Sequence, residues 1–160
     1  MFIEVNTVGK ILSEAERAYF AGFLDADGAI MATIERHKEK KFKFRVRVTL
    51  KISQRDQKVL TWFKSQTKSG YIRKNRTVFD WIVRDQEKAL KILKLIIPFL
   101  KIKGKQAKIA IEIIEMRIDS FSDLLKAARL ADTLASFNVR SKGRRKNFAS
   151  MIEENVSRND

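Results

Sequence analysis

Twelve consecutive residues alternate without a break: Phe42, Phe44, Val46, Val48, Leu50 and Ile52 against Lys43, Arg45, Arg47, Thr49, Lys51 and Ser53. Successive side chains of a β-strand point to opposite faces, so this run fits a sheet with one buried face. A helix would scatter the same apolar residues around its circumference. The second face carries four cations and no acid. The strand therefore presents a row of a single charge sign.

The neighbouring segments supply partners for that strand. Ile30, Ala32 and Ile34 alternate with Met31, Thr33, Glu35 and His37, and a polar turn near Lys38 to Lys41 joins the two runs into a hairpin. Upstream, Ser13 and Glu16 read as a capping box that opens a helix from Ser13 to about Asp25, with Gly28 as a left-handed stop. Downstream, Asp56 caps a helix to about Lys68 whose apolar positions are Val59, Leu60, Trp62 and Phe63. Tyr71 to Arg76 and Val78 to Arg84 form a second hairpin around Asn75. Asp85 then caps a helix punctuated by Pro98. Lys103 to Arg117 and Ser120 to Phe137 read as two more helices, followed by a basic loop over 138–146 and a short helix from Phe148 to Val156. The expected fold is α+β, in the order α-β-β-α-β-β-α with extra C-terminal helices. No low-complexity linker divides the chain, so residues 1–160 are expected to form one domain.

Charge narrows the partner. Lys and Arg number 34 against 19 Asp and Glu, a formal net charge of +15. Self-repulsion of that size is most simply tolerated for a polyanion. With no cysteine, disulfide scaffolds and thiolate zinc fingers are excluded. Met1 to Lys10 lacks the apolar run of a signal peptide, and Leu90 to Leu100 is interrupted by Lys91, Lys94 and Pro98. The expectation is a soluble intracellular protein with no membrane partner and no secretion signal.

The stretch Phe20-Ala21-Gly22-Phe23-Leu24-Asp25-Ala26-Asp27-Gly28 holds the chemistry. Ala18, Gly22 and Ala26 recur at four-residue spacing and form a small-residue stripe, which lets a second helix approach closely. Asp27 sits at the C-terminal end of the helix. An acid there opposes the helix dipole, and the last carbonyls have no intrahelical donor. A carboxylate beside free carbonyl oxygens suits a hard divalent cation. Taken alone, Asp25 and Asp27 also read as ordinary turn residues before a glycine.

This nonapeptide resembles the signature of the LAGLIDADG homing endonucleases, with Phe20 in place of the first Leu. Leu50-Lys51-Ile52-Ser53-Gln54 is similar to the end of that family's second strand. Pro98-Phe99-Leu100-Lys101-Ile102-Lys103-Gly104-Lys105-Gln106-Ala107 is similar to its basic segment opening a later helix. The three matches occur in the family's order and cover roughly Leu12 to Phe137. The resemblance implies an antiparallel four-stranded saddle sheet. One motif copy implies a homodimer, with Ala18, Gly22 and Asp25 at the contact between copies.

The resemblance also implies a reaction and a site. The expected activity is metal-dependent hydrolysis of both strands of a long, near-palindromic double-stranded DNA target, leaving 3′ overhangs. Asp27 would be the metal ligand, with Ala26 adding its backbone carbonyl. The expected cofactor is Mg²⁺, with Mn²⁺ substituting and Ca²⁺ binding without supporting cleavage. Gln54 would orient water, Lys103 would stabilise the transition-state phosphate, and Lys58 is a further basic position. The outward faces of the strands would read DNA in the major groove through Thr33, Glu35, His37, Arg45, Arg47 and Lys51. Arg73, Asn75, Arg76 and Asp80 would extend that surface. Arg140, Lys142 and Arg144 of the basic loop would grip phosphates. Homing endonucleases of this kind are encoded in introns. Their setting would be the cytoplasm of an archaeon or bacterium, or an organelle.

Two alternatives stand beside this reading. One is a cleavage-inactive intron maturase, or sequence-specific DNA-binding protein, of the same fold. The other is an unrelated basic RNA-binding protein, for which no aromatic RNP motif or GXXG loop is found.

Overall fold

The computed structural model describes residues 12–138 and 147–158. Helix α1 (Glu14–Asp27) leads without a loop into β1 (Gly28–Arg36), and β2 (Phe44–Gln54) returns antiparallel to it. Helix α2 (Gln57–Thr67) precedes the second hairpin, β3 (Tyr71–Asn75) and β4 (Val78–Val83). Helix α3 (Gln86–Ile96) runs into a 3-10 turn at Ile97–Phe99, and α4 (Gly104–Glu115), α5 (Phe121–Phe137) and α6 (Phe148–Ser157) complete the described chain. The sheet order is β1-β2-β4-β3, antiparallel throughout.

The expected element order is therefore found, with local differences. Phe42 lies in the turn rather than in β2, because the hairpin closes where His37 N donates to Lys43 O at 2.8 Å. The cap residues Ser13, Asp56, Asp85 and Ser120 each accept from a backbone N–H of the following turn. The reciprocal half of a capping box forms at Ser120 and Asp123. At Ser13 only the bond from Glu16 N is made.

Gly28 is not a left-handed stop. Its φ of −106° and ψ of 172° are extended, and it is already the first residue of β1. A Cβ there would lie 2.4 Å from Leu24 Cδ1 and 2.7 Å from the Leu24 carbonyl oxygen. Glycine is needed for this close approach of strand to helix, which sets Asp27 directly at the head of the sheet.

One layer of helices covers one face of the sheet. Ile30 and Ala32 of β1, Val48, Leu50 and Ile52 of β2, and Trp81 and Val83 of β4 are buried against it. Helices α1, α3, α4 and α5 pack on β2, all but α3 also on β1, and α2 packs on β4. Phe20, Phe63 and Trp81 form an aromatic cluster with ring centroids 4.6–5.9 Å apart. Trp81 Nε1 donates to Ser69 O at 2.9 Å, so this buried indole is satisfied. Among the described residues, no helix lies over the opposite face, which carries the basic row.

Candidate active site and nucleic-acid face

The C-terminal end of α1 gathers three of the four residues expected to act in chemistry. Asp27 is exposed, and its Oδ2 accepts from Gln54 Nε2 at 3.1 Å. Gln54 is the last residue of β2, and its Oε1 accepts from Arg55 N at 2.9 Å. Both ends of the amide are thus committed, which turns its NH₂ toward the carboxylate. Lys103 comes from the segment before α4, and its ammonium donates to the Asp25 carbonyl oxygen. Lys58 makes no hydrogen bond or ion pair with this group. It lies in the first turn of α2, exposed, and its side chain has no hydrogen-bond or ion-pair partner among the described residues.

Asp25, expected at a contact between copies, is 8% exposed, and its carboxylate is used within the chain. Oδ2 accepts from Lys101 N at 2.7 Å and Ile102 N at 3.2 Å, and Oδ1 accepts from Lys103 N at 2.9 Å. These N–H groups lead into the N-terminus of α4, where the dipole also favours an anion. Asp25 therefore locks Lys103 beside the end of α1. Asp25→Ala should lower stability by about 2–4 kcal/mol, because three backbone donors lose a charged acceptor. The urea midpoint should fall at unchanged slope. Lys103 should lose its anchor at the end of α1 as well.

The face of α1 that carries Ala18, Gly22 and Ala26 is exposed. No atom lies within 4 Å of where a Gly22 Cβ would be. Tyr19 of this helix and Ile102 of the segment bound to Asp25 are large hydrophobic side chains, 52% and 70% exposed.

The uncovered sheet face places the expected reading residues in register. Thr33 pairs with Arg47, Glu35 with Arg45, Ser53 with Asp80, and Arg73 with Asp80. Arg73 and Asn75 are exposed, as is Arg76 in the β3–β4 turn, where its φ is +57°. His37 opens the first hairpin turn, and its Nδ1 is buried without a hydrogen-bond partner among the described residues. Arg140, Lys142 and Arg144 lie outside the described residues.

Asp80 is another correction. It is fully buried on the outward face and does not present itself to a partner. Ser53 Oγ and Asn75 Nδ2 donate to it, the latter at 3.0 Å, and Arg73 Nε lies 3.5 Å away. Burial, the strongest influence, pushes this carboxyl up, but the Ser53 and Asn75 hydrogen bonds and the Lys51 and Arg73 cations outweigh it and hold it below its ordinary value of 3.8. Asp80 holds Asn75 and Arg73 in place and is closed off from solvent. The basic row of β2 is also not free of acid. Glu35 reaches across from β1 to Arg45, Arg47 and Arg84. Arg84 was missed in the sequence, although it continues the outward row Asp80, Ile82, Arg84 at period two.

Comparison with known proteins agrees with this geometry. The family model described as LAGLIDADG endonuclease matches residues 20–110. The DNA endonuclease I-CreI of Chlamydomonas reinhardtii is 32% identical over 127 residues, covering 75% of this chain and 77% of that protein. The DNA endonuclease I-CvuI of Chlorella vulgaris is 32% identical over 121 residues, covering 72% and 74%. A crystal structure of I-CvuI in complex with the I-CreI target, in the presence of Mg, superimposes with a TM-score of 0.81 at 29% identity, over 91% of this chain and 94% of that one. The archaeal intron-encoded homing endonuclease I-Vdi141I, solved with DNA, shares the fold with a TM-score of 0.77 at 19% identity, over 91% and 96%. With the end of the motif helix, both hairpins and the start of α4 inside one match, this chain belongs to the LAGLIDADG endonuclease family.

Proposed function

We propose that two copies of this chain assemble into a site-specific homing endonuclease that cuts both strands of a long, near-palindromic DNA target. The observation that carries the reading is the meeting of Asp27 with Gln54 at the end of a helix whose small-residue face is open. Packing that face against its two-fold mate brings two Asp27 residues together. It also covers Tyr19 and Ile102, and it forms a continuous basic surface from two sheets.

The residues fit a divalent cation. Asp27 is an exposed carboxylate in the last turn of α1, a position the helix dipole disfavours for an acid, and the Ala26 carbonyl lies in the same turn. Among the described residues no three His, Cys, Asp or Glu side chains cluster closely enough to hold an ion. One chain thus supplies part of a site, and the partner's equivalent residues supply the remainder. A bound Mg²⁺ would provide Lewis-acid stabilisation and an activated water. Mn²⁺ would substitute, and Ca²⁺ would bind without supporting cleavage. Gln54 holds the Asp27 carboxylate in place and orients water beside it. Lys103, anchored by Asp25, places a cation near the phosphate as negative charge develops on its oxygens. Lys58 is a peripheral phosphate contact rather than part of this group. The strands of the uncovered face lie in the major groove, with Thr33, His37, Arg45, Arg47, Lys51, Arg73, Asn75 and Arg76 toward the bases or backbone. Arg140, Lys142 and Arg144 add phosphate affinity. No helix among the described residues is long and apolar enough to cross a membrane, and the site of action is the compartment holding the gene.

A cleavage-inactive maturase or DNA-binding protein of the same fold would have no need for the Asp27–Gln54 arrangement. The deciding experiment incubates the protein with a duplex spanning the insertion site of its own gene, with Mg²⁺ or with EDTA. A staggered double-strand cut with 3′ overhangs is expected with Mg²⁺ and none with EDTA. Binding without a cut at any Mg²⁺ concentration would favour the inactive alternative.

A further inference from the structure

Four charged side chains, from β1, β2 and the residue that follows β4, converge on the uncovered sheet face. Glu35 of β1 stands directly opposite Arg45 of β2. Arg45 Nε donates to Glu35 Oε2 at 3.1 Å, and a terminal Arg45 nitrogen lies 3.0 Å from the same oxygen. Arg47 Nε is 3.5 Å from that oxygen, without hydrogen-bond alignment. Arg84, immediately after β4, donates to the other carboxylate oxygen. One carboxylate therefore serves three guanidinium groups. Burial, the largest influence on Glu35, raises its pKa. The Arg45 hydrogen bond and the charges of Arg47, Arg84 and Arg45 outweigh that and hold it below 4.5, so it is ionised at neutral pH.

Stability does not explain this arrangement, because partly exposed ion pairs contribute little. Affinity for nucleic acid does not explain it either. A carboxylate on the face turned toward DNA repels every phosphate and cancels part of the basic row. Its remaining effect is on where the arginines point. A guanidinium has five N–H donors in a rigid fork. Arg45 spends two nitrogens on Glu35 and Arg84 one, Arg47 is held by charge alone, and the remaining donors are left for an acceptor in front of the sheet, such as O6 and N7 of guanine. An arginine that swings aside to a phosphate must leave Glu35. One that reads a base need not.

We propose that Glu35 is a specificity-determining residue: a built-in counter-ion that presets Arg45, Arg47 and Arg84 for base edges and withholds them from the phosphates of unselected DNA. The inference rests on the DNA-reading face described above. Discrimination here comes from a cost imposed on the wrong partner.

The test uses the intact protein without cleavage-supporting metal. A randomised duplex library is enriched on the wild-type protein, and binding of the enriched duplex and of a scrambled duplex is measured across a salt series. Glu35→Gln is the main variant, because it keeps the shape but cannot bind three cations. Glu35→Asp retains the charge and should recover part of the discrimination. Glu35→Gln should bind the scrambled duplex about tenfold more tightly, and the enriched-to-scrambled ratio should fall by a similar factor. Its salt dependence on scrambled DNA should steepen by roughly one to two phosphate contacts. Libraries enriched on the variant should lose preference over one contiguous stretch in each half-site. An unchanged ratio, or an equal gain on both duplexes, overturns the proposal, as does loss confined to a single cytosine position, which would make Glu35 a direct base contact. If the wild-type protein enriches no sequence at all, the DNA-reading function itself fails. Enrichment by wild type with an unaltered Glu35→Gln profile removes only this inference.

Discussion

Asp27→Asn should abolish strand cleavage while leaving the target bound. A carboxylate that helps hold a divalent cation at the scissile phosphate supports several kcal/mol of transition-state stabilisation, so the cut rate should fall by at least about 10³-fold. Asn keeps one carbonyl oxygen in place to accept from Gln54, so the 3.1 Å contact can survive. Affinity should stay within about threefold of wild type, because positioning is carried by the sheet and by phosphate contacts rather than by this residue. Stability should move the other way. Asp27 is an exposed acid in the last turn of α1, a turn that contains no basic residue of its own. Removing its charge should stabilise the fold by about 0.3–1 kcal/mol. Cleavage of a labelled duplex, fluorescence anisotropy in Ca²⁺ and a thermal melt read the three quantities. Normal cutting would remove Asp27 from the chemistry. A parallel loss of binding would instead make it a structural residue.

The pairing of lost activity with gained stability bears on what was legible in the sequence. Elements were legible where a local rule operates. The period-two run of β2, the caps at Ser13, Asp56, Asp85 and Ser120, and the acid at the end of α1 all express short-range geometry. Asp27, Gln54 and Lys103 were recognisable as a group only through the order of three separated motifs, and the chain does bring them to one end of α1. What escaped were pairings between distant residues. Asp25 reads as a turn residue or as an acid at the contact between copies, and nothing local points to Lys101, Ile102 and Lys103, more than seventy positions away, which supply three donors. Asp80 reads as one more polar residue on an outward face, yet Ser53, Asn75 and Arg73 cover it completely. The basic row of β2 reads as unopposed because its acid sits on the neighbouring strand. Gly28 was assigned to a left-handed stop because helices commonly end that way, whereas the helix-to-strand junction needs its missing side chain. In each case a residue's type was right for its element, and its partner was set by the tertiary fold.

Gly22 separates the properties of one chain from those of a pair. In a single chain Gly22 is exposed within α1, and nothing lies within 4 Å of an added Cβ. Replacing it by Leu should therefore favour the helix by about 0.5–1 kcal/mol and leave the chain folded with an equal or higher melting temperature. In a two-fold assembly the same side chain appears twice at the closest approach of two helices. Overpacking costs typically about 1–3 kcal/mol per site, so a symmetric contact loses roughly 2–6 kcal/mol. Dimer dissociation should strengthen by roughly 30- to 10⁴-fold. Sedimentation equilibrium should show Gly22→Leu as a folded monomer at concentrations where the parent is a dimer. Cleavage should disappear, because neither chain alone assembles the paired Asp27 site. Binding to a full-length target should fall toward that of a half-site. A Gly22→Leu protein that remains dimeric and active would show that the copies meet elsewhere, and that the stripe of Ala18, Gly22 and Ala26 is surface. A parent that sediments as a monomer even when bound to its target would remove the paired site altogether. Only the combination of intact fold, lost dimer and lost cutting fits a site divided between two chains.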